Sequence, residues 1–215
     1  MKTILCFGDS NTWGYDDQAK KDDLPGRFDI NTRWTGLLAQ SLGSGYRIIE
    51  EGLNGRTTAF EDPLWDYRAG KHYLVPCLDS HRPLDLVSIM LGTNDLKLRF
   101  AASPVDITQG LDLLIEKVNQ SRAGIDGGIP KLLLVAPPPI GTFSPCDEPS
   151  WTGAQARAAE LPRLYEELAK KRNVHFANSQ SVIKIEDLAQ DGLHLSANAH
   201  AKLAKFMLEK IKEIV

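Results

Sequence analysis

Short runs of apolar, often β-branched residues alternate along the chain with longer stretches in which apolar positions recur every three or four residues. Residues 3–7, 46–51, 86–91, 132–136 and 174–177 form five such runs, each bounded by Gly, Pro, Asn or Asp, and this pattern predicts strands. Between them the spacing predicts amphipathic helices. Trp34, Leu37, Leu38 and Leu42 share one face, as do Ile107, Leu111, Leu114, Ile115 and Val118. Leu161, Leu164, Tyr165 and Leu168 make a third face, and Leu203, Phe206, Met207, Ile211 and Ile214 a fourth. Ser103 followed by Pro104 is a helix start, and Ser196 caps the last helix. A weaker period over residues 73–80 predicts one helix more. Runs apolar on both faces, each followed by a helix, predict an α/β fold with a parallel sheet covered on both sides.

Three connections are too long for plain crossovers. Residues 11–33 are polar and hold the charged run from Asp16 to Asp23, which predicts a solvated surface loop. Residues 54–72 carry Phe60, Trp65 and Tyr67, and residues 137–152 carry Phe143 and Trp151. Rings in loops must pack on something: the core, a pocket or another subunit.

Composition narrows the class without changing the fold. At 215 residues, with no repeat, linker or low-complexity segment, the chain reads as one domain spanning 1–215. A net charge of −3 supplies no basic field for nucleic acid or anionic lipid. No window approaches the roughly eighteen apolar residues of a membrane span, and the first apolar stretch is too short for a secretory signal. Cys6, Cys77 and Cys146 are odd in number and far apart, which argues for a reducing, cytoplasmic setting.

The chemistry lies where the predicted strands end. The first strand runs into Gly8-Asp9-Ser10-Asn11, the second into Asn54-Gly55-Arg56, the third into Gly92-Thr93-Asn94-Asp95, and Asp191-Gly192-Leu193-His194 precedes the final helix. In a doubly wound sheet all four fall at the carboxyl edge. Acyl transfer needs residues of these types. A serine hydroxyl requires a base, for which His194 is suited, and a carboxylate such as Asp191 must orient the imidazole. The Ser10 and Gly55 N–H groups and the Asn94 amide are candidate donors to an oxyanion. Asp9 and Asp95 read as structural partners of their turns. His72, His81, His175 and His200 show no metal-ligand spacing, so neither metal nor cofactor is expected. Trp13, Phe60 and Trp151 are candidates for the substrate pocket.

Gly8-Asp9-Ser10 with Gly55, Asn94 and Asp191-x-x-His194 resembles the block pattern of the SGNH (GDSL-type) hydrolases. The resemblance implies a three-layer, flavodoxin-like sandwich with a five-stranded parallel sheet between helices. It implies Ser10 as nucleophile, Asp191 and His194 as its partners, and Ser10, Gly55 and Asn94 as the oxyanion hole. Asn11 departs from the pattern, standing where the motif has Leu. Residues 6–10, 33–36, 50–53, 56–58 and 90–95 bring the chain nearest to the bacterial arylesterase/acyltransferase (perhydrolase) group. That group implies a cofactor-free serine esterase cleaving short-acyl aryl or small alkyl esters, with acyl transfer as a side activity, in a homo-oligomer. Alternatives are a carbohydrate O-deacetylase of the same family and a non-catalytic binding protein on this fold. A phosphatase or nucleotide binder would need a phosphate cradle or a carboxylate cluster, and the sequence has neither.

Overall fold

The computed structural model describes residues 1–21 and 24–215. Five strands, β1 (Lys2–Gly8), β4 (Tyr46–Gly52), β5 (Leu86–Met90), β6 (Lys131–Ala136) and β7 (His175–Asn178), form one sheet in the order β4-β1-β5-β6-β7. Every pairing in it is parallel. The five predicted runs are these strands, with ends displaced by at most one residue, the usual uncertainty where pairing fades.

Alternation along each strand sends successive side chains to opposite faces. Leu5, Phe7, Val87, Ile89, Leu132 and Leu134 meet α3 (Gly70–His81), α4 (Pro104–Ser121) and α5 (Ala154–Arg172) in one apolar layer. Ile4, Cys6, Leu86, Met90, Leu133 and Val135 meet α2 (Trp34–Leu42) and α6 (Ala197–Ile214) in the other. The result is a three-layer α/β sandwich. Ser103 closes a capping box with Asp106 at the start of α4, and Ser196 accepts from the Ala199 N–H at the start of α6. The weakly periodic stretch at 73–80 is the core of α3, a full helix that contains Pro76.

One expectation fails. Residues 11–33 are not a plain surface loop. They open with the one-turn helix α1 (Ser10–Trp13) and continue into an antiparallel hairpin of β2 (Tyr15–Lys21) and β3 (Leu24–Arg27). Charged side chains hid the strands, because two exposed strands have little apolar period to show. The far end of the charged run, Asp22-Asp23, lies outside the described residues.

The connection from β1 leads to β4 on one side of it, and the next crossover leads to β5 on the other side. Such a change of direction opens a crevice beyond the strand ends. Ser10 and Asn94 flank it.

Candidate active site

The turn after β1 is compressed. A Cβ at Gly8 would lie 2.1 Å from Thr12 Oγ1 and 2.7 Å from Thr12 Cβ, so only glycine lets the strand turn directly into α1. Asp9 caps that helix by accepting from the Asn11 N–H at 2.9 Å. Burial pushes its carboxyl up to about 6, against the pull of that bond and of the His194 and Arg56 charges. Ser10 follows as the first helical residue, 6 % exposed.

His194 Nε2 lies 2.9 Å from Ser10 Oγ, and His194 Nδ1 lies 2.5 Å from Asp191 Oδ2. The other Asp191 oxygen accepts from the Leu193 and His194 N–H groups at 2.9 and 3.0 Å. Burial raises the Asp191 carboxyl, but the hydrogen bond and charge of His194, with those N–H groups, outweigh it and hold the pKa at about 2. The carboxylate is therefore ionised at neutral pH. It fixes which imidazole nitrogen faces Ser10: with the proton on Nδ1, bonded to Asp191, the Nε2 lone pair points at the hydroxyl.

Asn94, in the turn after β5, donates from Nδ2 to the Arg56 carbonyl at 3.1 Å, which leaves that nitrogen one N–H to spend elsewhere. Asp95 beside it accepts from Thr58 Oγ1 at 2.5 Å and from the Thr58 N–H at 2.9 Å. Burial raises its carboxyl to about 6. These bonds tie the turn after β5 to the loop after β4. In that loop Gly55 has φ +79°, and a Cβ there would come within 2.6 Å of the Trp65 ring. The Ser10 and Gly55 N–H groups carry no hydrogen bond among the described residues.

The three aromatic candidates separate. Trp13 is half-buried under the Arg27 guanidinium, 4.9 Å from its ring. Phe60 packs on the core against Phe100, and Trp151 is buried with its ring stacked on Phe143 at 5.1 Å. Their ring contacts do not include the Ser10–His194 pair. Two other rings touch residues of the constellation: Trp65 lies against Gly55, and Tyr15 stacks on His194 with centroids 4.0 Å apart. No periodicity marks Tyr15; it reaches His194 because Gly14, with φ +89°, ends α1 and turns the chain into β2. Lys97, 8 % exposed, is held between Trp65 and Trp151 with Nζ 5.2 and 5.5 Å from the ring centres. Burial and the Arg99 charge lower its pKa to about 8.

Among the described residues, one group has the chemistry to ligate a metal: Glu51, Cys77 and His81, with ligand atoms within 4.8 Å of one another. His81 Nε2 and Glu51 Oε1 already pair at 2.8 Å, and burial and then Glu51 push the Cys77 thiol up to about 12, so it stays protonated. No described helix is long and apolar enough to cross a membrane.

A parallel α/β sheet carrying a serine–imidazole–carboxylate chain at its carboxyl edge is the architecture of a serine hydrolase. The chain belongs to the GDSL-like lipase/acylhydrolase family, whose sequence profile matches residues 6–202, and it is a carboxylic ester hydrolase. It is similar over its whole length to the native aryl esterase of M. smegmatis, at 39% identity and a TM-score of 0.94, with all of that chain covered. It is also similar to Est24, a carbohydrate acetylesterase from Sinorhizobium meliloti, at 38% identity and 0.92, and again both chains are covered in full. A putative arylesterase from Agrobacterium tumefaciens matches at 34% identity and 0.88, likewise over both complete chains. A search of curated proteins finds no match.

Proposed function

We propose that Ser10 is the nucleophile of an acyl-enzyme mechanism acting on short-acyl esters of aryl or small alkyl alcohols. The observation that carries this is the unbroken chain Ser10 Oγ–His194–Asp191, with contacts of 2.9 and 2.5 Å. Ser10 Oγ attacks the ester carbonyl while His194 Nε2 takes its proton, and Asp191 steadies the imidazolium that forms. The Ser10 and Gly55 N–H groups and the unspent Asn94 N–H receive the oxyanion. As the tetrahedral centre collapses, His194 returns the proton to the leaving alcohol. Water, activated by the same imidazole, then releases the acid. His194 activates an alcohol or hydrogen peroxide as readily, so acyl transfer accompanies hydrolysis.

The test is steady-state turnover of p-nitrophenyl esters of increasing acyl length by wild type and Ser10→Ala. Rates falling steeply beyond short chains, and abolished in a Ser10→Ala protein with an unchanged circular dichroism spectrum, are expected. A fully active Ser10→Ala sinks the mechanism.

A carbohydrate O-deacetylase is the second reading, favoured by the likeness to a carbohydrate acetylesterase. Acetylated sugars assayed beside phenyl acetate decide between the two by kcat/KM. We also propose a homo-oligomer, supported by the exposure of Leu64, Trp65 and Tyr67 on one loop. Light scattering reporting a 23.8 kDa particle would exclude it. Two buried thiols and an exposed Cys146, none in a disulfide, support a cytoplasmic location.

A further inference from the structure

Asn11 stands where the family's motif has leucine, and its carboxamide reaches across the crevice to the loop that carries the base. Its side chain Oδ1 accepts from the Leu195 N–H at 3.0 Å, and its Nδ2 donates to the Leu193 carbonyl at 3.4 Å. These two groups belong to the two peptide units that bracket the His194 Cα. Holding both restrains the φ and ψ of His194, and with them the direction in which the imidazole leaves the backbone. Asn11 is itself enclosed and bonded through its backbone. It is 2 % exposed, its N–H is held by Asp9, and its carbonyl accepts from Trp34 Nε1 at 3.1 Å.

The other ties of that loop are mostly internal: Asp191 to Leu193 and His194, and the Ala189 N–H to the His194 carbonyl at 2.7 Å. They shape the loop without fixing it against the nucleophile. Asn11 supplies that link, one residue from Ser10. A leucine offers neither donor nor acceptor, so two buried peptide groups would lose their partner.

We propose that Asn11 is a positioning residue that sets the Ser10–His194 geometry by clamping the peptide groups on either side of His194. This rests on Ser10 and His194 acting as nucleophile and base. It acts through His194 and touches no reacting atom.

The experiment compares Asn11→Leu and Asn11→Asp with wild type on p-nitrophenyl acetate, reading kcat, KM, the pH profile of kcat/KM, and Tm. Asn11→Leu is expected to lower kcat about 10- to 100-fold, the effect of an ångström-scale misplacement, with KM within about twofold. Asn11→Asp keeps the acceptor for the Leu195 N–H but turns the donation to the Leu193 carbonyl into a contact between two acceptors. It should therefore recover only part of kcat, while its new carboxylate near the imidazole moves the acid limb of the profile to higher pH. Wild-type kcat in Asn11→Leu overturns the proposal. So does an Asn11→Asp enzyme as impaired as Asn11→Leu with an unmoved limb, the signature of a residue that only stabilises the fold. If Asn11→Leu does not fold, the Asn11→Asp profile decides alone. A wild type that turns over no ester refutes the esterase reading itself, and that result is seen before any variant is made.

Discussion

The Tyr15 ring lies over the His194 imidazole, centroids 4.0 Å apart and planes 28° from parallel. A strand of a surface hairpin thus supplies one wall of the base's surroundings. Stacking of this kind is worth roughly 0.5–1.5 kcal/mol beyond the area it buries. Tyr15→Ala is therefore expected to lower kcat about 2- to 10-fold by loosening the ring, and Tyr15→Phe to retain wild-type kcat. Equal losses in the two variants would assign the effect to the hydroxyl instead.

His194 and Ser10 should behave as one unit. His194→Ala and the Ser10→Ala/His194→Ala double variant are expected to show similar residual rates, because either change alone removes nucleophilic attack. Asn94→Ala is expected to cost on the order of 10²–10³ in kcat with little change in KM, since its bond strengthens as charge develops on the carbonyl oxygen. Single-turnover rates check both. Multiplicative losses in the double variant contradict the shared step.

Lys97 carries a stability cost, because its ammonium is buried. Its folded-state pKa, about 8, lies below the ordinary 10.5, so the folded protein binds fewer protons than the unfolded chain between these values. Stability from this group therefore rises with pH across that window, and below pH 8 the cost is present in full. Lys97→Met should raise stability at pH 7 by about 1–3 kcal/mol, part of the gain being offset by lost contact with Trp65 and Trp151. Denaturation midpoints of wild type and variant, measured from pH 7 to 10, should converge as pH rises. A constant gap would remove titration as its cause.

Asp191 has the opposite sign. Its folded pKa of about 2 lies below the ordinary 3.8, so its contribution is present above about pH 4 and is lost as pH falls toward 2. Screening at this partly exposed carboxylate leaves about 1–2 kcal/mol. Asp191→Asn should flatten the wild-type decline in Tm between pH 4.5 and 2.5 (roughly the titration range). An unchanged slope would mean that other carboxylates set it.

Much of the sheet was legible because its central strands β1, β5 and β6 are buried on both faces and read as nearly unbroken apolar runs, whereas the edge strands β4 and β7 are only partly buried. The layers followed from helical period, clearest in α4 and α6, whose serine caps stand out. The β2–β3 hairpin escaped because exposed strands bear charge. At the site, Ser10, Asn94, Asp191 and His194 could be singled out because polar motifs follow the first and third strands and precede the last helix, in the order of the SGNH block pattern. Tyr15, Trp65 and the reach of Asn11 could not, because they arise from loop paths. An asparagine beside the nucleophile looks like any turn residue until residues 182 and 184 positions away are folded against it.

That span has a consequence for synthesis. All five strands of the main sheet are complete by Asn178, yet His194 and the helix that holds its loop follow later in the chain. A nascent chain that has reached Asn178 holds every strand of that sheet and Ser10, and still lacks the base. Ester turnover therefore requires α6 docked onto α2 as well as a formed sheet. During refolding, activity should return no earlier than the far-ultraviolet dichroism does, since the base is placed only when both ends of the chain have met.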